Sequence, residues 1–407
     1  MPDLGSVVVV GASLAGMRAA EALRREGFDG QLTLVGAETH WPPFDRPPLS
    51  KQVLVGKWEA DKAVLRTDLD PATDDRLELR LGRRAIDLDA AERRITLDDD
   101  TTLDYDGLII ATGATPRTLP GVQQVTGIHV LRTIDDCSSL RRDLDGPAYV
   151  TVIGAGFIGC EVAAAARALG HPVALVEALP LPLVRVLGED IGKMTSELHR
   201  EHGVELHLGS GVEGIDGVQR VEGVRLTNGE VVKADVVVVG IGVTANTDWL
   251  AASGLVIDNG VLCDQSLLAA GAEGVAAAGD VARWPNPVYD GALMRIEHWT
   301  NAAEHGEHAA RSLLAWARGE EPPAFESIPY FWSEQYGVRF QMVGTWAEGD
   351  EQHVVEGDPL GPERKGVIAF VRGDRVIGAL CVNRPNRTLP WRKHIEARAT
   401  YPVPEPE

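Results

Sequence analysis

Four consecutive valines, Val7 to Val10, run into Gly11-Ala12-Ser13-Leu14-Ala15-Gly16. An alanine- and arginine-rich stretch follows to about Arg25, and then Leu32-Thr33-Leu34-Val35. A continuous apolar run, a glycine break, helical spacing and a second apolar run predict strand, tight turn, helix and strand. The same order returns 143 residues later: Tyr149 to Ile153, then Gly154-Ala155-Gly156-Phe157-Ile158-Gly159, a helical stretch to Leu169, and Val173 to Val176. Two βαβ units of this kind predict two dinucleotide-type sites.

Other apolar runs end in glycine. Leu108-Ile109-Ile110-Ala111-Thr112-Gly113 follows an acidic, hairpin-like stretch from Leu97 to Asp106, Ala234 to Gly242 echoes it, and Gly274 to Asp280 comes third. Such runs read as parallel strands buried on both faces, with their carboxyl ends at a ligand crevice. After Gly319-Glu320-Glu321-Pro322-Pro323, which reads as a linker, alternating segments such as Phe340 to Val343, Gly366 to Val371 and Val376 to Val382 predict a small α+β domain. The fold class expected is α/β, with two Rossmann-like dinucleotide-binding domains and a small α+β C-terminal domain.

A length of 407 residues agrees with two or three domains. Nothing at the start reads as a signal peptide, and no apolar run reaches the roughly 18 residues of a spanning helix, so a cytoplasmic location without membrane association is expected. The net charge of −21 argues against nucleic acid as a partner. The charge is uneven, because nine basic residues face three acidic ones between Glu363 and Arg398. A basic tail on an acidic body suits an acidic partner, although arginines on a solvated face give the same pattern. The cysteines, Cys137, Cys160, Cys263 and Cys381, lie far apart, which reads as buried free thiols and leaves no metal site expected.

Within the second unit the spacing carries a mechanism. Gly154 makes the tight turn, Gly156 lets backbone approach a pyrophosphate, and Gly159 permits close helix packing, with the anion at the helix N-terminus. Glu177, eighteen residues past Gly159, ends the next strand. A carboxylate there accepts ribose hydroxyls and repels a 2′-phosphate, and Ala178 follows in place of an arginine, so NADH is expected over NADPH. The first unit departs from the pattern: Ser13 replaces the second glycine, and Gly36 stands where Glu177 stands in the second copy. Glu38, two residues on, is the expected ribose ligand there. One nucleotide bound as a flavin and the other passing as nicotinamide is the natural reading of such a pair.

Just after the first unit, Phe44-Asp45-Arg46-Pro47-Pro48-Leu49-Ser50-Lys51 forms a loop stiffened by two prolines. It ends on one of only seven lysines, against thirty-two arginines. The plain reading is a serine capping a helix beside a solvated lysine.

Taken with Gly11 to Gly16, Arg46 to Lys51, Ala111-Thr112-Gly113, Leu131-Arg132-Thr133, Gly154 to Gly159 with Glu161, Gly279-Asp280, Arg295 to Ala302 and Phe331-Trp332-Ser333-Glu334-Gln335, the chain resembles the two-dinucleotide-domain flavoprotein reductases from end to end. More closely it resembles the oxygenase-coupled NADH:ferredoxin reductases of the putidaredoxin reductase type. The resemblance implies a discontinuous FAD-binding domain over 1–112 and 243–320, an NADH-binding domain over 113–242 and a C-terminal interface domain over 321–407. It implies tightly bound, non-covalent FAD held by Gly11, Ser13, Leu14, Ala15 and Gly16 under the pyrophosphate. Arg132 and the looser match Ala85 lie near the adenosine half, and Asp280 after Gly279 lies at the ribityl chain. Arg46, Ala111, Thr112 and Gly113 also contribute, and Trp299 lies against the isoalloxazine. NADH falls to Gly154, Gly156, Phe157, Ile158, Gly159, Glu177 and Gly242, with Phe157 shielding the flavin face or simply packing in the core.

In similar enzymes Lys51 would approach flavin N5, and Glu161 would pair with it. These are the implied catalytic residues, because a fixed positive charge stabilises the negative charge that hydride transfer develops. The implied activity is NADH:ferredoxin oxidoreduction, with electrons passing one at a time to an acidic [2Fe–2S] ferredoxin that serves an oxygenase. That ferredoxin would dock on the basic segment Arg364 to Arg398 or near Arg311 and Arg339. Disulfide reductases share the nucleotide domains but place reactive sulfur at the flavin, and this chain has no cysteine before Cys137. A rubredoxin or nitrite reductase flavoprotein component and a redox-sensing flavoprotein like apoptosis-inducing factor remain as alternatives.

Overall fold

The computed structural model describes residues 4–119 and 125–403. The chain forms two compact units: residues 1–45, 64–115 and 244–329 build one, and residues 46–63, 116–243 and 330–407 build the other.

The first unit is built on a five-stranded parallel sheet in the order Val275–Ala277, Gly107–Ile110, Ser6–Val10, Gln31–Gly36, Leu77–Leu81. Val7, Val9, Leu32, Leu34, Leu108 and Ile109 are all fully buried, as continuous apolar strands covered on both faces must be. The helix Leu14–Arg25 begins earlier than expected, inside the glycine segment, and ends where expected with Arg24 and Arg25, which complement its C-terminal dipole. It packs on the long helix Trp299–Arg318, and Gly306 makes that approach possible: a Cβ there would stand 2.2 Å from the Ala15 carbonyl oxygen. The acidic stretch from Leu97 supplies the third strand, Thr102–Asp104, of an antiparallel ribbon whose other strands are Ala85–Asp89 and Arg94–Leu97. Beyond Gly319, which closes the long helix in a left-handed turn, the chain stays anchored to this unit through Phe325, buried against Trp284 and His305.

The second unit carries its own parallel sheet, ordered Val204–Leu208, Val173–Glu177, Val150–Ile153, Val236–Val239, Ile128–His129. The helix Phe157–Ala168 follows the central strand. A five-stranded antiparallel sheet completes the unit in the order Tyr330–Gln335, Val338–Gly344, Arg375–Val382, Lys365–Arg372, Glu351–Asp358. Its central strand Arg375–Val382 is buried from Val376 to Val382 and is the core of this sheet. No described helix is long and apolar enough to cross a membrane.

Candidate nucleotide and redox site

The two strand–turn–helix copies are built alike. Gly11 and Gly154 take positive φ, at 118° and 98°. A Cβ on Gly11 would lie 2.0 Å from the Ala111 carbonyl oxygen, and one on Gly154 would lie 2.3 Å from that of Gly240. A Cβ on Gly16 would lie 1.7 Å from the Gly11 oxygen, and one on Gly159 would lie 1.9 Å from the Gly154 oxygen. These glycines bring each helix N-terminus hard against its strand, so the orphan N–H groups of the first turn face outward at the strand's carboxyl end. Gly156 differs from its neighbours, since a Cβ there would meet nothing within 4 Å. That open space over uncapped N–H groups fits a pyrophosphate.

Glu177 sits at the end of its strand with both carboxylate oxygens engaged. Oε2 accepts from the Ala155 N–H at 2.7 Å and Oε1 from the Leu179 N–H at 2.9 Å. A carboxylate offers about four lone-pair sites, so two remain for ribose hydroxyls. In the first unit the same place belongs to Gly36 for a steric reason: a Cβ there would press on that of Ala12 at 2.7 Å. Glu38, half-buried, lies just beyond, and its carbonyl accepts from Gly82.

The stiff loop folds as a short 3₁₀ turn, Pro47–Ser50, and Lys51 closes it with its N–H on the Pro48 carbonyl. Lys51 is not solvated: its side chain is 14% exposed, and Nζ lies 2.6 Å from Oε2 of Glu161, itself 3% exposed. Ser50 does not cap a helix but donates its hydroxyl to the same oxygen at 2.5 Å. The other carboxylate oxygen accepts from the Ser333 hydroxyl at 2.7 Å. A buried carboxylate with three donors is a satisfied ion-pair network, whereas removing a member would leave a desolvated charge. Beside it, the Phe157 ring packs on Phe331 with centroids 4.6 Å apart. Ile158, next in the helix, is 44% exposed.

Within the second unit, Arg46 donates to the carbonyl of Arg132 at 3.2 Å, while the Arg132 and Thr133 N–H groups share the Asp136 carboxylate. Gly242, at φ 96°, accepts from the Arg117 N–H. Within the first unit, Thr112 and Asn246 exchange two hydrogen bonds at 2.9 and 2.8 Å, and Gly113 accepts from the Asn246 N–H. Leu14 and Ala15 are buried, and Gly279 stands over Ala15, where an added Cβ would come within 3.0 Å of the Ala15 Cβ. Asp280 is buried with its carbonyl on Arg295. The Trp299 indole donates to Asp45 at 2.7 Å. Ala85 opens the antiparallel ribbon, half-buried, away from these groups in sequence and paired with Leu97.

Sequence reasoning missed four supporting residues. Ser50 and Ser333 on Glu161, Asp45 on Trp299, and His305, whose Nδ1 accepts from the Gly279 N–H at 3.2 Å, are single polar side chains without a spacing signal of their own. Asp45, Ser50 and Ser333 did lie inside segments that stood out, and that is the only signal they carried.

All four cysteines are free and buried, as expected. Burial pushes the Cys137 thiol up to about 11 and those of Cys263 and Cys381 to about 12, so none offers a thiolate at neutral pH. The basic C-terminal segment is extensively paired within its own unit. Arg384 and Arg387 both meet Glu356, Arg364 meets Glu201, Arg372 meets Asp350 and Arg392 meets Glu396. Lys365 and Lys393 are exposed and form no ion pair among the described residues.

Residues 5–306 match the pyridine nucleotide-disulphide oxidoreductases, and residues 330–405 match the Reductase C-terminal family. The chain belongs to the pyridine nucleotide-disulphide oxidoreductase family. Membership implies FAD and NAD(H) as the nucleotides of this oxidoreductase. Rhodocoxin reductase of Rhodococcus erythropolis is 40% identical over 95% of this chain and 88% of the relative. The ferredoxin–NAD(+) reductase component of the p-cumate 2,3-dioxygenase system of Pseudomonas putida is 36% identical over 98% of this chain and 95% of the relative. Among solved structures, the covalent putidaredoxin reductase–putidaredoxin complex aligns with a TM-score of 0.88 at 34% identity, covering 97% of this chain and 93% of that one. The relatives of this oxidoreductase thus include a ferredoxin–NAD(+) reductase component of a dioxygenase system and a putidaredoxin reductase solved in covalent complex with putidaredoxin.

Proposed function

We propose that this oxidoreductase takes electrons from NADH and passes them singly to a [2Fe–2S] ferredoxin that serves a monooxygenase or ring-hydroxylating dioxygenase. The observation that carries the reading is the ion pair of Lys51 with Glu161, a largely buried ammonium in a chain with no cysteine before Cys137. The names of the relatives, components of dioxygenase and related systems, support the same acceptor class.

FAD, tightly but not covalently bound, belongs with residues 1–112 and 243–320, NADH with 113–242, and residues 321–407 form the interface domain. Gly11, Ser13, Leu14, Ala15 and Gly16 receive the FAD pyrophosphate; Glu38 takes its ribose. Asp280 anchors the ribityl chain, and Trp299 orients against the ring with its indole fixed by Asp45. Gly154 to Gly159 receive the NADH pyrophosphate, and Glu177 takes the adenosine ribose. Bound FAD supplies the conversion of a two-electron hydride donor into one-electron deliveries. Lys51 would hold positive charge where negative charge grows during hydride transfer, and Glu161 would orient that ammonium and limit its charge. Phe157 screens the nicotinamide side until the substrate displaces it. The acidic ferredoxin docks on the basic C-terminal segment, and the enzyme acts in the cytoplasm.

The test is anaerobic titration of the FAD-loaded protein. Bleaching of the yellow protein faster by NADH than by NADPH, followed by reduction of a [2Fe–2S] ferredoxin, is expected. Colourless protein after FAD reconstitution, or equal use of both nicotinamides, overturns the reading; slow turnover with every acceptor points instead to a redox sensor.

A further inference from the structure

Alternate residues of the strand Tyr330–Gln335 share one side, as strand geometry requires. Phe331 meets the Phe157 ring at 4.6 Å, Ser333 donates to Glu161 at 2.7 Å, and Gln335 lies 3.2 Å from the His199 Nε2. Phe157 and Glu161, four residues apart, lie on one face of their helix and receive the first two of these contacts. Ser333 is fully buried, and its hydroxyl is the donor to Oε1 of Glu161, while Ser50 and Lys51 both serve Oε2.

The division of donors has a geometric consequence. The terminal torsion of a glutamate is broad and roughly two-fold, so contacts at one oxygen leave the carboxylate plane poorly fixed. A donor at the second oxygen fixes it. We propose that Ser333, contributed by the C-terminal strand, is a positioning residue for Lys51: it holds Oε1 so that Oε2 faces the ammonium in one orientation. The proposal rests on the reading of Lys51 as the charge that assists hydride transfer. Without the Ser333 hydroxyl, Oε1 is a buried acceptor lacking its donor, and the carboxylate turns to recover one. Lys51, on a four-carbon stem with many rotamers, follows its partner out of place.

The experiment compares wild type, Ser333→Ala and Ser333→Thr as full-length, FAD-loaded proteins. One readout is the limiting rate of flavin bleaching by NADH and the NADH concentration at half saturation. The other, taken without NADH, is acetylation of Lys51 by an amine-directed acylating reagent, read by peptide mass spectrometry. Ser333→Ala is expected to lower the limiting rate about tenfold, the effect of one hydrogen bond to a charged group, with half saturation changed less than about twofold. Lys51 acetylation should rise severalfold, and Ser333→Thr, which keeps the hydroxyl, should restore both values. A Ser333→Ala protein with wild-type rate and wild-type acetylation overturns the proposal, as does a loss that threonine does not restore. Should the wild-type protein itself fail to bleach with NADH, the proposed function falls, and Lys51 acetylation across the three proteins still decides the role of Ser333.

Discussion

The ammonium of Lys51 lies 2.6 Å from the carboxylate of Glu161, across 110 residues of sequence, with the carboxylate buried and the lysine largely withdrawn from water. Deleting one partner of such a pair costs more than deleting an exposed ion pair, because the survivor keeps its charge without its solvent. Lys51→Met is therefore expected to lower stability by about 3 kcal/mol and the NADH-driven bleaching rate by about a hundredfold. The combined Lys51→Met, Glu161→Gln protein should regain much of the stability but none of the rate. Chemical denaturation and stopped-flow absorbance separate the two effects, and a double variant as unstable as the single one would contradict the coupling.

The same pair shows where sequence reading stops. The helix to Arg25, the helix ending at Ala168 and the parallel strands at Leu108, Val236 and Val275 were legible, because each is specified by local period and glycine punctuation. The meeting of Lys51 with Glu161 came from resemblance, not from pattern. Ser50 and Ser333 reach the same carboxylate from 111 and 172 residues away, and nothing in a hydroxyl's local context announces a distant acceptor. Gly36 shows the reverse case. Its missing acid looked like a lapse in the motif, whereas in the fold the Ala12 methyl leaves no room for a side chain.

Glu177 is fixed before any nucleotide arrives, by the N–H groups of Ala155 and Leu179. On the proposed function, Glu177→Ala would remove both the ribose acceptor and the charge that opposes a 2′-phosphate, so the ratio of kcat/KM for NADH over NADPH should fall about tenfold. Glu177→Gln should do nearly as much, because an amide cannot accept at both ends and must aim a donor at one backbone N–H. Steady-state kinetics with both nicotinamides checks this, and an unchanged ratio would remove Glu177 from the specificity argument.

Most arginines of the C-terminal segment already have acidic partners, so if the proposed acidic ferredoxin docks there, Lys365 and Lys393 are the charges most available to it. Replacing both with glutamate should raise the KM for ferredoxin about tenfold at low salt while leaving NADH-driven bleaching unchanged. The difference should shrink as ionic strength rises, since exposed charges are screened within about 10 Å at 0.1 M salt. A ferredoxin KM insensitive to the double replacement would place the docking surface elsewhere.

Two fully buried histidines are expected to make the fold sensitive to acid. Burial pushes the His305 imidazole down to about 3 and His199 to about 4 from an ordinary 6.5. The neutral ring of His305 accepts from Gly279, and that of His199 bridges Gln335 and Tyr336. An unfolded chain would take up protons at both rings below about pH 6.5, whereas the folded chain refuses them until pH 4 or below. Their contribution to stability is thus complete above pH 6.5 and declines as pH falls from 6.5 toward 4, by up to about 1.4 kcal/mol per pH unit for each ring. Unfolding free energies measured from pH 7.5 to 4.5 should fall accordingly in the wild type. His199→Gln, which cannot titrate, should be less stable at pH 7.5 yet lose stability less steeply on acidification, and a slope identical to wild type would show that His199 does not govern the acid limb.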